Sequence, residues 1–127
     1  MNALERNAVQ ALSVLNIKYR SLICKNGAIF FCTGRTGFSF DLWVNHSGDI
    51  RIWRLLPDAL HMPKNVLYTF KDPGYPHAAS VIRCSSEGEI TYEIQARISQ
   101  DAIGAVHQLC RTICGYEQLI NRTIAKI

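Results

Sequence analysis

The chain has 127 residues, 48% of them apolar and 19% charged, with a formal charge of +4. A chain of this length buries roughly two thirds of its unfolded surface, so a core needs no disulfide or metal staple, and the composition excludes a disordered chain. The basic residues are scattered rather than gathered in a run, which is not a nucleic-acid footprint, and no apolar run approaches the ~18 residues of a membrane span.

The N-terminal residues 1–7 lack the basic-then-apolar layout of a secretion signal. Cys24, Cys32, Cys84, Cys110 and Cys114 are odd in number, contain no CxxC pair and sit mostly beside Ile, Leu or Phe. In such settings reduced cysteine behaves as a small buried hydrophobe. A single cytoplasmic domain over 1–127, with no membrane association, is the expectation.

In chain order, Asn2 and Glu5 form the spacing of a capping box, and Leu4, Ala8, Ala11, Leu12 and Leu15 make one helical stripe. Glu5, Arg6 and Gln10 fall mostly elsewhere. This predicts an amphipathic helix ending near Asn16. Strand formers follow over 17–24 and 28–32, joined by Lys25-Asn26-Gly27, where Asn-Gly supplies the positive φ angles of a tight hairpin turn. After the turn 33–37 comes the best-patterned stretch, 38–44 and 50–54, separated by Asn45-His46-Ser47-Gly48-Asp49. Its alternation places Phe38, Phe40, Leu42, Val44, Ile50 and Ile52 on one face and Ser39, Asp41, Trp43, Arg51 and Trp53 on the other. Together these runs predict a four-strand antiparallel meander.

Between Leu56 and Pro76 four prolines break the pattern, with a single helical turn predicted at 57–62 and a strand or helix over 66–70. A later hairpin follows, 79–84 and 89–98, with Ile90, Tyr92, Ile94, Ala96 and Ile98 inward. Ser99 is the expected cap of a final helix, with Asp101 favouring its positive end. Val106, Cys110, Ile113, Ile120 and Ile124 form its core stripe, and Gly115 is a point at which it can divide. The expected fold class is α+β, an antiparallel β-sheet packed against N- and C-terminal helices.

This order of elements resembles the YbjN-like sensory-transduction-regulator family, whose fold is similar to that of type III secretion chaperones. The opening helix running into Asn16-Ile17-Lys18-Tyr19 carries the resemblance, with the strand-turn-strand over 83–90 and the closing stretch from Ile98-Ser99-Gln100-Asp101-Ala102 to Gly115-Tyr116-Glu117. It implies a cytoplasmic interaction module, often dimeric, and transfers no catalytic residue.

Three constellations carry possible chemistry. His107, Cys110 and Cys114 fall at i, i+3 and i+7 on the last helix, a spacing compatible with zinc ligands or a thiolate held by histidine, but no fourth ligand or orienting residue is identified and packing on the flank of the core stripe is the stronger reading. The segment 33–37 resembles a phosphate-cradling loop, but it leads into a strand and lacks the Gly-Lys-Ser/Thr ending. His46, His61 and His77 are read as solvated loop residues, and the carboxylates show no acid–base pairing.

Trp43, Arg51, Trp53 and Asp41, with Arg35 nearby, form the remaining lead. Aromatics interleaved with arginines stack bases and neutralise phosphates, and the same residue types are enriched in protein interfaces. The bland alternative is that the connector 56–76 folds over both tryptophans. The expectation is a non-enzymatic chaperone-like or regulatory module, without cofactor, that binds a protein partner or a second copy of itself through the outward sheet face. Nucleic-acid binding through the Trp/Arg face is one alternative, and a metal protein or thiol enzyme built on His107, Cys110 and Cys114 is the other.

Overall fold

The computed structural model describes residues 2–34, 39–56, 63–71, 78–98 and 101–124. The chain opens with helix α1 (Ala3–Val14), which begins at the predicted capping box: the Glu5 N–H donates to Asn2 Oδ1 at 2.9 Å and the Asn2 N–H donates to Glu5 Oε2 at 3.1 Å. It ends in a Schellman motif, with the Asn16 N–H donating to the Ser13 carbonyl and the Ile17 N–H to the Leu12 carbonyl. Asn16 supplies the left-handed residue this motif requires, at φ 59°. Leu4, Ala8, Ala11 and Leu12 are buried as expected. Glu5 is buried as well, contrary to its placement on the solvated side.

Strands β1 (Lys18–Cys24), β2 (Gly27–Thr33), β3 (Ser39–Asn45) and β4 (Asp49–Leu55) form the predicted meander. The first turn differs in detail. Cys24 pairs with Gly27, so the loop is Lys25-Asn26, and neither Asn26 nor Gly27 takes a positive φ. Gly27 is needed for another reason: a Cβ there would sit on the Val44 carbonyl oxygen and 2.8 Å from Asn45 Cα. The turn after β3 matches its sequence signal. Gly48 has φ 95°, and Asn45 Oδ1 accepts from the Ser47 and Asp49 N–H groups.

Residues 66–71 resolve as strand β5 (Val66–Lys71), and the later hairpin as β6 (Ala78–Cys84) and β7 (Ile90–Arg97). The seven strands among the described residues make one antiparallel sheet in the order β1-β2-β3-β4-β7-β6-β5. The last strand of the hairpin therefore pairs with β4, and β5 becomes the far edge. The predicted turn at 57–62 lies outside the described residues.

The closing helix α2 (Ala102–Ile124) runs unbroken through Gly115. Asp101 caps it, its Oδ2 accepting from the Gly104 N–H at 2.8 Å. Asp101 thus fills the role expected of Ser99, which lies outside the described residues. The core stripe is also rotated from the predicted one: Ala105, Leu109, Ile113 and Tyr116 are buried, whereas Val106 and Cys110 are only partly so. Both helices serve the sheet face that carries Phe30, Leu42, Ile52, Ile82, Tyr92 and Ile94. Tyr116 joins the layers, its hydroxyl donating to the Tyr92 carbonyl at 3.0 Å and its ring edge-on to Phe40.

This packing sets an alkaline limit on stability. Burial, with the Asp41 carboxylate adding to it, pushes the Cys32 thiol up to about 12 from a reference of 9.0. Tyr116 is also raised, by burial first, with Arg54 opposing and Tyr92, Glu93 and Asp41 adding. Above pH ~9 the unfolded chain releases these protons before the folded one does, so stability falls as pH rises from 9 towards 12. Urea midpoints measured from pH 8 to 11 are expected to decline above about 9, less steeply in Cys32→Ala. A flat profile contradicts the assignment.

Candidate functional site

The candidate site is built by strand parity and register. Across the sheet face opposite the helices, Ile29 lies beside Trp43 and Trp43 beside Arg51; one step along, Phe31 lies beside Asp41, Asp41 beside Trp53 and Trp53 beside Glu93. Leu22, beside Ile29, extends the first row to the β1 edge, and Val81, beside Glu93, extends the second into β6. Trp43 and Trp53 are half-buried, whereas Phe31 is 40% and Leu55 60% exposed. Among the described residues no helix or strand packs over this face. The part of the connector that is described, 63–71, runs along the far edge beyond β6 and does not fold over the tryptophans. Positions 57–62 and 72–77 lie outside the described residues, as do Arg35, His61 and His77.

Around Trp53 the face is concave. Arg51, Trp53, Arg83, Thr91 and Glu93 line a hollow of about 260 Å³. Glu93 is held on both sides: Gln95 Nε2 donates to its Oε2 at 2.8 Å, and Arg51 Nε lies 3.9 Å from its Oε1. Arg83 is exposed on the other wall. The hollow therefore presents an indole surface between two guanidinium groups, one of them already facing a carboxylate. Such a surface takes an apolar or aromatic group and, beside it, a negative one. Burial also raises the Asp41 carboxyl above its usual range, which makes it a less willing anion at this face than its exposed counterparts.

The structure thus brings Asp41, Trp43, Arg51 and Trp53 together on one face. The alternation of β7 puts Thr91, Glu93 and Gln95 on its outward side. Arg83, Thr91 and Glu93 join the site because β7 pairs with β4, a long-range choice with no local signal. Phe31 and Ile29 had no parity signal of their own, because Ala28-Ile29-Phe30-Phe31-Cys32 is a continuous apolar run; only pairing with β3 shows which of its residues face outward.

His107, Cys110 and Cys114 do not assemble in the same way. His107 is exposed at a groove between the helices, beside Gln10, Ile103 and Val106. Cys110 Sγ points towards the Ala11 carbonyl at 3.9 Å, and Cys114 is exposed. Among the described residues no three His, Cys, Asp or Glu side chains come together as a metal-ligand group. Burial first, and then Cys114, raise the Cys110 thiol, the opposite of what a nucleophilic thiolate requires. His46 departs from its solvated reading: its Nε2 lies 2.8 Å from Glu5 Oε1 and ties the β3–β4 turn to α1.

All five cysteines are free thiols, and no described helix is long and apolar enough to cross a membrane. Comparison of the chain with family profiles, curated proteins and solved structures found no match.

Proposed function

We propose that this chain is a non-enzymatic cytoplasmic binding module that receives a protein partner on the outward sheet face centred on Trp43 and Trp53, as a chaperone or regulator does. One observation carries the reading: Leu22, Ile29, Phe31, Trp43 and Trp53 share a face with no described cover, with the exposed Arg51 and Arg83 lining the hollow beside Trp53. Contiguous exposed apolar surface rimmed by polar groups is what protein-interaction sites present, and Trp and Arg are the residues on which interface energy concentrates. The partner segment that fits carries an apolar anchor for Trp53 and an acidic group for Arg83. Free thiols accord with a reducing compartment. The resemblance to YbjN-like regulators implies the same kind of role.

The test is affinity capture from nuclease-treated extract of the source cells, with wild-type protein set against Trp53→Ala. A partner enriched on wild type and reduced about tenfold or more on the variant is expected. Equal recovery on both removes Trp53 from the site. Arg51 and Arg83 beside an indole also favour a second reading, single-stranded nucleic acid. That reading requires binding to mixed RNA or DNA that weakens steeply as salt is added.

A further inference from the structure

β1 ends the sheet, with β2 on one side and no described strand on the other. Its free hydrogen-bonding groups follow from the register. The His46 N–H donates to the Asn26 carbonyl at 2.9 Å, so Asn26 turns its backbone towards β3, as do Ala28, Phe30 and Cys32 by the two-residue repeat. Gly27, Ile29, Phe31 and Thr33 then face β1, where they pair with Cys24, Leu22, Arg20 and Lys18. The N–H and C=O groups of Tyr19, Ser21 and Ile23 are left pointing out of the sheet.

Lys18 and Arg20 are the edge's charged residues, both on the outer face. Its seven residues pair with β2 without a bulge, it contains no proline, and Leu22 and Ile23, on opposite faces, are each 54% exposed. A regular seven-residue edge of this kind is a template for another strand.

We propose that β1 pairs antiparallel with β1 of a second copy, about a two-fold axis through Ser21, to give one sheet continuous across both chains. In this register Ser21 faces Ser21 of the second copy and Tyr19 faces Ile23 of the second copy. Each such pair exchanges backbone hydrogen bonds through the groups left free above. Tyr19 already packs edge-on against Phe30 at 5.6 Å, so the incoming Ile23 extends the core side.

On the outer face Arg20 lies against Leu22 of the second copy, and Lys18 against its Cys24. The charges select this register. An axis through Arg20 sets two guanidinium groups opposite each other, and one through Tyr19 sets Lys18 against Arg20; both pairings are repulsive. Axes nearer Cys24 shorten the overlap. A second copy in this register therefore pairs with the edge along its full length without opposing like charges. Leu22 continues the row of Ile29 and Trp43, so pairing also joins the two outward faces, although the dimer does not depend on what that face binds.

Sedimentation velocity on the full chain under reducing conditions, from about 1 µM to about 1 mM, is expected to show a reversible monomer–dimer equilibrium. Ser21→Pro removes only an N–H that β2 does not use. It is expected to weaken the dimer about 100-fold or more, with the far-ultraviolet circular dichroism unchanged, while Trp53→Ala dimerises like wild type. Amide exchange of the wild-type chain gives a readout that needs no variant. Protection at Tyr19, Ser21 and Ile23 should rise with concentration, while Arg20 and Leu22 stay protected throughout. A monomer across the whole range, an unweakened Ser21→Pro dimer, or exchange at Ser21 that ignores concentration overturns the proposal.

Discussion

Gly27→Ala is expected to lower the melting temperature by about 10–15 °C. The loss is steric, because Gly27 has no positive φ for alanine to resist. The added Cβ meets the Val44 carbonyl oxygen and Asn45 Cα, both backbone atoms of β3. A flexible side chain in that place would swing away. β3, however, is paired along its length with β2 and also held by β4, so it retreats only by breaking ladder hydrogen bonds. A penalty of about 3 kcal/mol or more follows. Thermal melts followed by circular dichroism measure it, and a variant within about 2 °C of wild type would show that the β2–β3 contact is looser than the structure indicates.

Glu5→Ala is expected to destabilise the fold by about 2–3 kcal/mol, more than a helix-cap loss alone. The carboxylate is 1% exposed and does two things at once. One oxygen accepts from the Asn2 N–H at the head of α1, and the other meets His46 Nε2 at 2.8 Å in the β3–β4 turn. Its removal unties a helix terminus and a hairpin that are 41 residues apart in sequence. His46→Ala is expected to cost less, because the His46 side chain is 46% exposed and water can replace it. The double variant should then lose about 1 kcal/mol less than the sum of the two single ones. Urea titration of all four proteins tests this, and strict additivity would show that the pair is not coupled.

Local elements were legible in the sequence wherever one physical cause acted alone. The Asn2–Glu5 capping box, the alternation of β3 and β4, and the Asn45–Asp49 turn chemistry each depend on neighbours a few residues apart, and each is present in the structure. Errors arose where a second cause competed. Helical periodicity assigns Glu5 to the solvated side, whereas it is buried and meets His46 from a distant turn. Gly27 was assigned a turn conformation, whereas a neighbouring strand required its missing Cβ. The stripe of α2 was drawn through Val106 and Cys110, whereas packing turned Ala105, Leu109 and Tyr116 inward.

The candidate site divides along the same line. By itself the sequence determined the α+β class, the parity that puts Asp41, Trp43, Arg51 and Trp53 on one face, and the mildly basic charge. The parity follows from backbone geometry with a period of two, which any strand obeys regardless of its neighbours. Only the tertiary structure decided that β7 lies against β4, that Arg83, Thr91 and Glu93 complete the hollow at Trp53, and that β1 is left as an open edge. Strand order is chosen by the joint burial of the inner face beneath α1 and α2, a sum over contacts distant in sequence that no local pattern encodes.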